Sequence, residues 1–341
     1  MSSHSRPLGE FDLIERFFKA SSDSPRKNLD QAIGLGIGDD CALINPPADQ
    51  EIAITSDMLV EGRHFFEGAD PALLARKALA VNLSDLAAMG AKPLAFTLAI
   101  SLPTVDETWL EGFSKGLFAI AKEYSCPLIG GDTTAGPLTI SITALGSIPK
   151  GKAIRRSGAN PHEDIWVSGT LGDARLTLAA LRHEINLDAN DLKQIQHRMH
   201  QPTPRVELGI LLRDVASAAL DVSDGLLGDL SHILHQSQVD AEIHLDCIPK
   251  SATLRKQDPF IQNQFAACGG DDYEICFTAP TNQRERIQEI SNSLQLPITL
   301  IGKSLPKKAD REKIYLIDAS GNPLNDAEAK PFLKSFDHFA S

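Results

Sequence analysis

The chain has 341 residues, 42% of them hydrophobic and 23% charged, close to the averages of soluble globular proteins and unlike a disordered or fibrous chain. At roughly 150 residues per domain this length gives about two domains, large enough to fold without a disulfide or zinc staple. Asp plus Glu is 45 against 33 for Lys plus Arg, a net charge of −12, and this argues against nucleic acid as a partner because phosphate backbones need a basic footprint. Anionic small molecules stay open, provided cations stand between carboxylates and phosphates.

The cysteines Cys41, Cys126, Cys247, Cys268 and Cys276 are odd in number, scattered and free of any C-x-x-C pair, the usage of reduced thiols in a cytoplasmic protein. The opening residues lack the apolar run of a signal peptide, and no uncharged stretch nears the roughly 18 residues a membrane helix requires. A cytoplasmic chain with no membrane partner is expected.

Phe11, Ile14, Phe17 and Phe18 have helical spacing, and a polar stretch, Ser21 to Asp30, follows. Residues 52–57 and 138–146 alternate with period two and predict strands, with helices between them over about 71–89 and 106–124. Gly90 and Pro93 end the first of these helices. The strand pattern stops near residue 150, which sets domains of 1–150 and 151–341. The second part predicts a strand over Asp164 to Ser168, then helices from about Asp173 and over 204–218. A strand into Asp221 and a helix over 226–235 follow. Strands and helices alternate without strict βαβ regularity, so the fold class is α+β.

Acids recur where an apolar strand or buried helix meets glycine: Gly38-Asp39-Asp40, Thr55-Ser56-Asp57, Gly130-Gly131-Asp132, Asp221-Val222-Ser223-Asp224-Gly225 and Gly269-Gly270-Asp271-Asp272. One such turn is ordinary turn chemistry. Five in one chain, if they converge, repel one another unless cations neutralise them. Oxygen ligands with no Cys or His cluster point to Mg²⁺, with Mn²⁺ as a substitute. Asn82 and Asp85 share one face of an Ala-rich helix, where a carboxylate needs a partner or a metal.

Other signals fail. Ile301-Gly302-Lys303-Ser304 resembles the end of a phosphate-binding loop, but Pro297 stands where its first glycine belongs. The glycine turn Ser168 to Asp173 reads as packing. The pairs His197/His200 and His232/His235 read as surface or packing residues. No nucleophile elbow or Cys/His dyad is present, so covalent catalysis is disfavoured. Arg155-Arg156 is either a solvated turn or a phosphate clamp.

Taken together the motifs resemble the thiamine-monophosphate kinase family, in the superfamily of aminoimidazole ribonucleotide synthetase and selenophosphate synthetase. The resemblance is carried by Gly36 to Asp40, Ser56 to Phe65, Asn82 to Ala91, Gly130 to Thr134, Asp221 to Leu226, Gly270 to Glu274 and Asp337 to Phe339. It implies transfer of the ATP γ-phosphoryl group to thiamine phosphate, with several Mg²⁺ ions and no covalent intermediate. Asp40, Thr55, Ser56, Asp57, Asp85, Asp132, Asp221 and Asp224 fall where the family binds Mg²⁺. Asp40, Gly131, Asp132, Arg156 and Ser223 fall where it holds ATP, and His64, Asp271 and Phe336 where it contacts thiamine phosphate. Asp271 replaces the family's usual Glu, one methylene longer, and a bridging water makes up the reach.

The same resemblance implies a two-domain synthetase-like fold. Its N-terminal mixed α+β domain binds ATP and Mg²⁺ and pairs in a homodimer, and its C-terminal α/β domain completes the nucleotide and substrate site. A selenophosphate synthetase would carry a reactive Cys in a Gly-rich segment before Gly34, where none stands. An aminoimidazole-forming synthetase fits the substrate-side motif around His64 less well. A non-catalytic nucleotide or Mg²⁺ sensor would have lost several of the acids, and all are present.

Overall fold

The computed structural model describes residues 10–19, 32–37, 41–309 and 313–333. Asp40 and Phe336 lie outside the described residues. The chain forms two units: one runs to Leu86 and resumes over Lys92–Lys150, the other takes Ala87–Ala91 and continues from Gly151.

In the first unit the aromatic cluster near the start forms one turn of α-helix, α1 (Glu10–Leu13), continued as a π-helix over Ile14–Lys19 that buries Phe17 and Phe18. β1 (Ile33–Leu35) and β2 (Leu43–Ile44) pair antiparallel. The main sheet has the order β3 (Gln50–Val60), β6 (Thr139–Pro149), β4 (Lys92–Leu102), β5 (Leu128–Ala135), antiparallel except for the β4–β5 pair. Both predicted strands are present and longer than their alternation alone indicates.

The two predicted helices are α2 (Pro71–Ala88) and α3 (Glu107–Glu123). Asp70 caps α2, its Oδ1 accepting from the N–H groups of Ala72 and Leu73 at 2.9 Å each, with Pro71 in the first turn where a missing N–H costs nothing. Asp106 caps α3 in the same way. α2 is buried on nearly every side, with Leu79, Leu83 and Leu86 almost fully buried and the polar Asn82 and Ser84 buried with them.

The second unit has a six-stranded sheet in the order β12 (Ile314–Ile317), β9 (Val239–His244), β11 (Ile298–Pro306), β7 (Asp164–Ser168), β10 (Ile275–Ala279), β8 (Ala218–Asp221). Only the β9–β12 pairing is parallel. Its helices are α4 (Asp173–Leu181), α5 (Ala189–His200), α6 (Val206–Leu211), α7 (Leu226–Ser237), α8 (Pro259–Cys268), α9 (Arg284–Leu294) and α10 (Asp326–Ala329). One core joins them, with Ile165, Val167, Leu176, Leu230, Ile233 and Ile243 at its centre.

The helix expected over 204–218 is cut short at Leu211. Asp214 takes a left-handed φ of 65°, and the turn it makes lets the Ser217 N–H reach the Thr278 carbonyl at 2.8 Å and start β8. The rejected phosphate-loop stretch Ile301 to Ser304 is the interior of β11, where Lys303 bonds Glu242 at 2.9 Å across to β9.

Candidate functional site

In the first unit, strand alternation divides the predicted ligands between two faces. Thr55 and Asp57 turn toward α2. Thr55 Oγ1 donates a short hydrogen bond to Asp85 Oδ2, and the Asp57 N–H donates to Asn82 Oδ1 at 3.2 Å. Asn82, fully buried, donates in turn to the Ala78 carbonyl at 3.0 Å. Asn82 and Asp85, one helical turn apart, thus lock α2 to β3 and bring Thr55, Asp57 and Asp85 to one seam.

Ser56 and Asp132 stand on the opposite face. Ser56 Oγ bonds Thr143 Oγ1 at 3.0 Å, beside the exposed Ile54 and Met58. Asp132 lies in the register row Met58, Ser141, Ala99, Asp132, whereas Asp57 lies in the row Asp57, Ile142, Leu98, Gly131. Gly131 needs its missing side chain: at φ 148° a Cβ would sit 1.8 Å from the Leu98 carbonyl oxygen.

His64 closes the turn after β3. Its Nδ1 accepts from the Val60 N–H at 2.9 Å, so in the neutral ring the proton sits on Nε2.

In the second unit, Asp221 ends β8 and Ser223, Asp224 and Gly225 lead into α7. Asp229 Oδ2 accepts from the N–H groups of Ser223, Asp224 and Gly225 at 2.9, 3.0 and 3.1 Å. Burial pushes the Asp229 carboxyl up to about 7 against the pull of these bonds, and the neighbouring Asp224 charge adds to the rise. The predicted substrate-side turn packs on the same loop: Asp271 N–H donates to the Ser223 carbonyl and Tyr273 N–H to the Val222 carbonyl, both at 2.8 Å. Asp271 and Tyr273 hold left-handed φ of 67° and 51°, and the Tyr273 hydroxyl bonds Asp271 Oδ1 at 3.1 Å. Gly270 permits this approach, since a Cβ there would stand 2.6 Å from the Ser223 carbonyl oxygen.

Arg156 reaches the same neighbourhood. The Arg155 carbonyl accepts from Ala219 N–H on β8 at 3.1 Å, and Ser237 Oγ donates to the Arg156 carbonyl at 2.9 Å. His232 on α7 senses both charges: burial lowers its pKa first, Arg156 lowers it further and Asp224 opposes them.

Behind the turn lies a buried ionic network. Glu274, with no exposed surface, accepts from Ser168 Oγ at 2.6 Å, Arg198 Nη2 at 2.7 Å and Arg205 Nε at 2.7 Å. Burial pushes its carboxyl up, but the Arg205 and Arg198 contacts outweigh burial and hold it below the ordinary value. The neighbouring Asp272 accepts from Gly172 N–H at 2.8 Å, and burial raises its carboxyl well above the usual range. The Ser168 to Asp173 turn therefore serves packing and this network.

Among the described residues, no three His, Cys, Asp or Glu side chains gather closely enough to hold a metal alone.

The chain matches the family models described as AIR synthase related protein, N-terminal domain over residues 38–148 and C-terminal domain over 160–314. It is 46% identical to the thiamine-monophosphate kinase of Salmonella typhimurium, over 98% of this chain and 99% of that protein. The chain belongs to the thiamine-monophosphate kinase family. Among solved structures it resembles the thiamine-monophosphate kinase of Stenotrophomonas maltophilia, with TM-score 0.81 and 44% identity over 91% of this chain and 97% of that one. It also resembles AaThiL complexed with AMPPCP and TMP, with TM-score 0.73 and 27% identity over 99% and 100% of the two chains. The two-domain synthetase-like α+β architecture is the fold of this family.

Sequence reasoning missed Asp229, Arg198 and Arg205. Asp229 had a signal, an acid in the first turn of a helix that follows a glycine loop. The arginines had none: they lie 76 and 69 residues from the Glu274 they bind.

Proposed function

We propose that this chain transfers the γ-phosphoryl group of ATP to thiamine phosphate, giving thiamine diphosphate, by direct in-line displacement. The observation that carries this reading is the 46% identity, over nearly the full length of both chains, to a thiamine-monophosphate kinase. The complex of AaThiL with AMPPCP and TMP supports it.

The acceptor is itself a phosphate monoester with a second pKa of about 6, largely ionised at neutral pH, so it needs no general base. The barrier is the approach of two polyanions, and catalysis reduces to positioning and charge neutralisation. Mg²⁺ bound here would supply that neutralisation. Thr55, Asp57, Asp85, Asp221 and Asp224 are the oxygen donors proposed to hold it, while Asp40, Ser56 and Asp132 rest on the resemblance alone. Gly131, Ser223 and Arg156 are assigned to ATP. Arg156, whose charge like that of Asp224 acts on His232, is assigned to stabilising phosphate charge. His64, with its proton directed to Nε2, and Asp271, held by Tyr273, are assigned to thiamine phosphate together with Phe336.

The N-terminal domain, 1–150, is proposed to pair in a homodimer. Ile54 and Met58, 66% and 56% exposed on the open face of its sheet, favour that pairing. No helix among the described residues is long and apolar enough to cross a membrane, and the reduced cysteines favour the cytoplasm.

The deciding experiment supplies ATP and Mg²⁺ with thiamine phosphate, thiamine or an aminoimidazole precursor in parallel. Thiamine diphosphate from thiamine phosphate alone is expected. Turnover of another acceptor instead would overturn the reading, and ATP binding without turnover would favour a sensor. Inversion at phosphorus with a chiral ATP analogue supports in-line transfer, and retention excludes it.

A further inference from the structure

The backbone from Val222 to Gly225 is held by a dense set of hydrogen bonds. The Val222 N–H donates to the Glu274 carbonyl, and its carbonyl accepts from Tyr273 N–H, both at 2.8 Å. The Ser223 carbonyl accepts from Asp271 N–H at 2.8 Å. One atom, Asp229 Oδ2, gathers the three successive N–H groups of Ser223, Asp224 and Gly225, and the Asp229 N–H returns a bond of 2.9 Å to the Gly225 carbonyl. Three consecutive N–H groups opening a helix make an anion nest of the kind that commonly cradles phosphate. Here the nest is filled from within, by a side chain only 5% exposed.

We propose that Asp229 is a positioning residue for the phosphoryl-transfer site: by occupying the nest it fixes the backbone from which the Ser223 and Asp224 side chains project and denies the nest to the nucleotide's phosphates. The proposal rests on the reading of those two residues as metal- and ATP-holding groups. Its consequence is that phosphate charge at this loop is met by cations and Arg156 and never by the α7 N-terminus. An acid that orients metal ligands from behind typically matters 10–100-fold for metal affinity or activity.

The test uses the full chain with ATP, thiamine phosphate and a Mg²⁺ titration. Asp229→Ala is expected to raise the half-saturating Mg²⁺ concentration about 10–100-fold while the KM for thiamine phosphate moves less than about twofold. Asp229→Asn keeps an acceptor oxygen but loses the charge, and it is expected to fall between alanine and wild type. A merely structural role would scale kcat with the folded fraction and leave the Mg²⁺ constant in place, and that result overturns the proposal. If circular dichroism shows the alanine variant unfolded, the asparagine variant decides by the same criterion. Asp224→Asn run alongside separates the failures. Wild-type Mg²⁺ dependence in that variant removes the underlying reading and the proposal together. An inactive Asp224→Asn with an unshifted Asp229→Ala removes the proposal alone.

Discussion

Replacing Glu274 with alanine tests whether the buried ionic network holds the substrate-side turn. The substitution strands Arg198 and Arg205, whose side chains are 9% and 17% exposed, without the carboxylate each of them bonds. Removing one partner of a buried pair costs about 3–5 kcal/mol, because the remaining charge is left uncompensated. For a unit of this size each kcal/mol moves Tm by about 2–4 °C, so a fall of about 6–20 °C is expected. The assay is thermal unfolding by tryptophan fluorescence in a Trp109→Phe background, where the remaining Trp166, stacked on Phe277 in the second unit's sheet, is the reporter. A triple variant, Glu274→Leu with Arg198→Met and Arg205→Met, is expected to recover most of the loss, since well-packed apolar replacements of buried ion networks are often neutral. The Glu274 carboxyl is held below its ordinary value, so its contribution is complete above the unfolded pKa of about 4.3 and disappears as pH falls through the lower folded value. The gap between wild type and Glu274→Gln therefore stays constant above about pH 5 and closes under acid. An alanine variant melting within about 2 °C of wild type, a shift below 1 kcal/mol, would refute the reasoning.

Asp57→Asn and Asp224→Asn are each expected to abolish turnover with Tm unchanged, because the backbone N–H groups at these positions, bonded to Asn82 and Asp229, hold the local structure. Wild-type rates would remove the residue from the metal site. Ile54→Lys with Met58→Lys should convert a dimer to a monomer in sedimentation velocity; an unchanged dimer would place the interface elsewhere. With a thiol reagent at pH 8, Cys41 and Cys247, both exposed, should react first, whereas Cys126, whose thiol burial pushes up to about 12, and Cys276, also raised by burial, should wait for unfolding. Mass spectrometry of the labelled native protein reads this directly, and early labelling of Cys126 would contradict it.

What the sequence made legible follows from how local each signal is. The α2 and α3 boundaries lay within one or two residues of expectation because capping acids, proline and glycine act inside one turn. The period of two in Thr55-Ser56-Asp57 separated Ser56 from its neighbours, and the structure keeps that separation. The place of Asp132 relative to Asp57 was not local: Asp132 falls in the Met58 register row and not in the Asp57 row. That difference depends on strand order and register across four strands, which no single segment encodes. Helix propensity likewise overran Leu211, since the bond from Ser217 to Thr278 that starts β8 joins residues 61 positions apart.

The second unit also explains how a chain of net charge −12 can be organised around phosphate without a basic cradle. Proteins usually meet phosphate with helix N-termini or arginines. Here the N–H groups before α7 are taken by Asp229, and Arg198 and Arg205 are taken by Glu274. Both sets of donors are spent on fixing one piece of backbone: Asp229 grips its N–H groups, and Glu274, held by the two arginines, accepts from Val222 N–H through its own carbonyl. A loop fixed this firmly by its backbone can hold several like charges close together without yielding to their repulsion. On the proposed reading, in which these acids hold a cation, the rigidity of the Asp221–Gly225 segment, more than the number of its carboxylates, is what the chemistry requires.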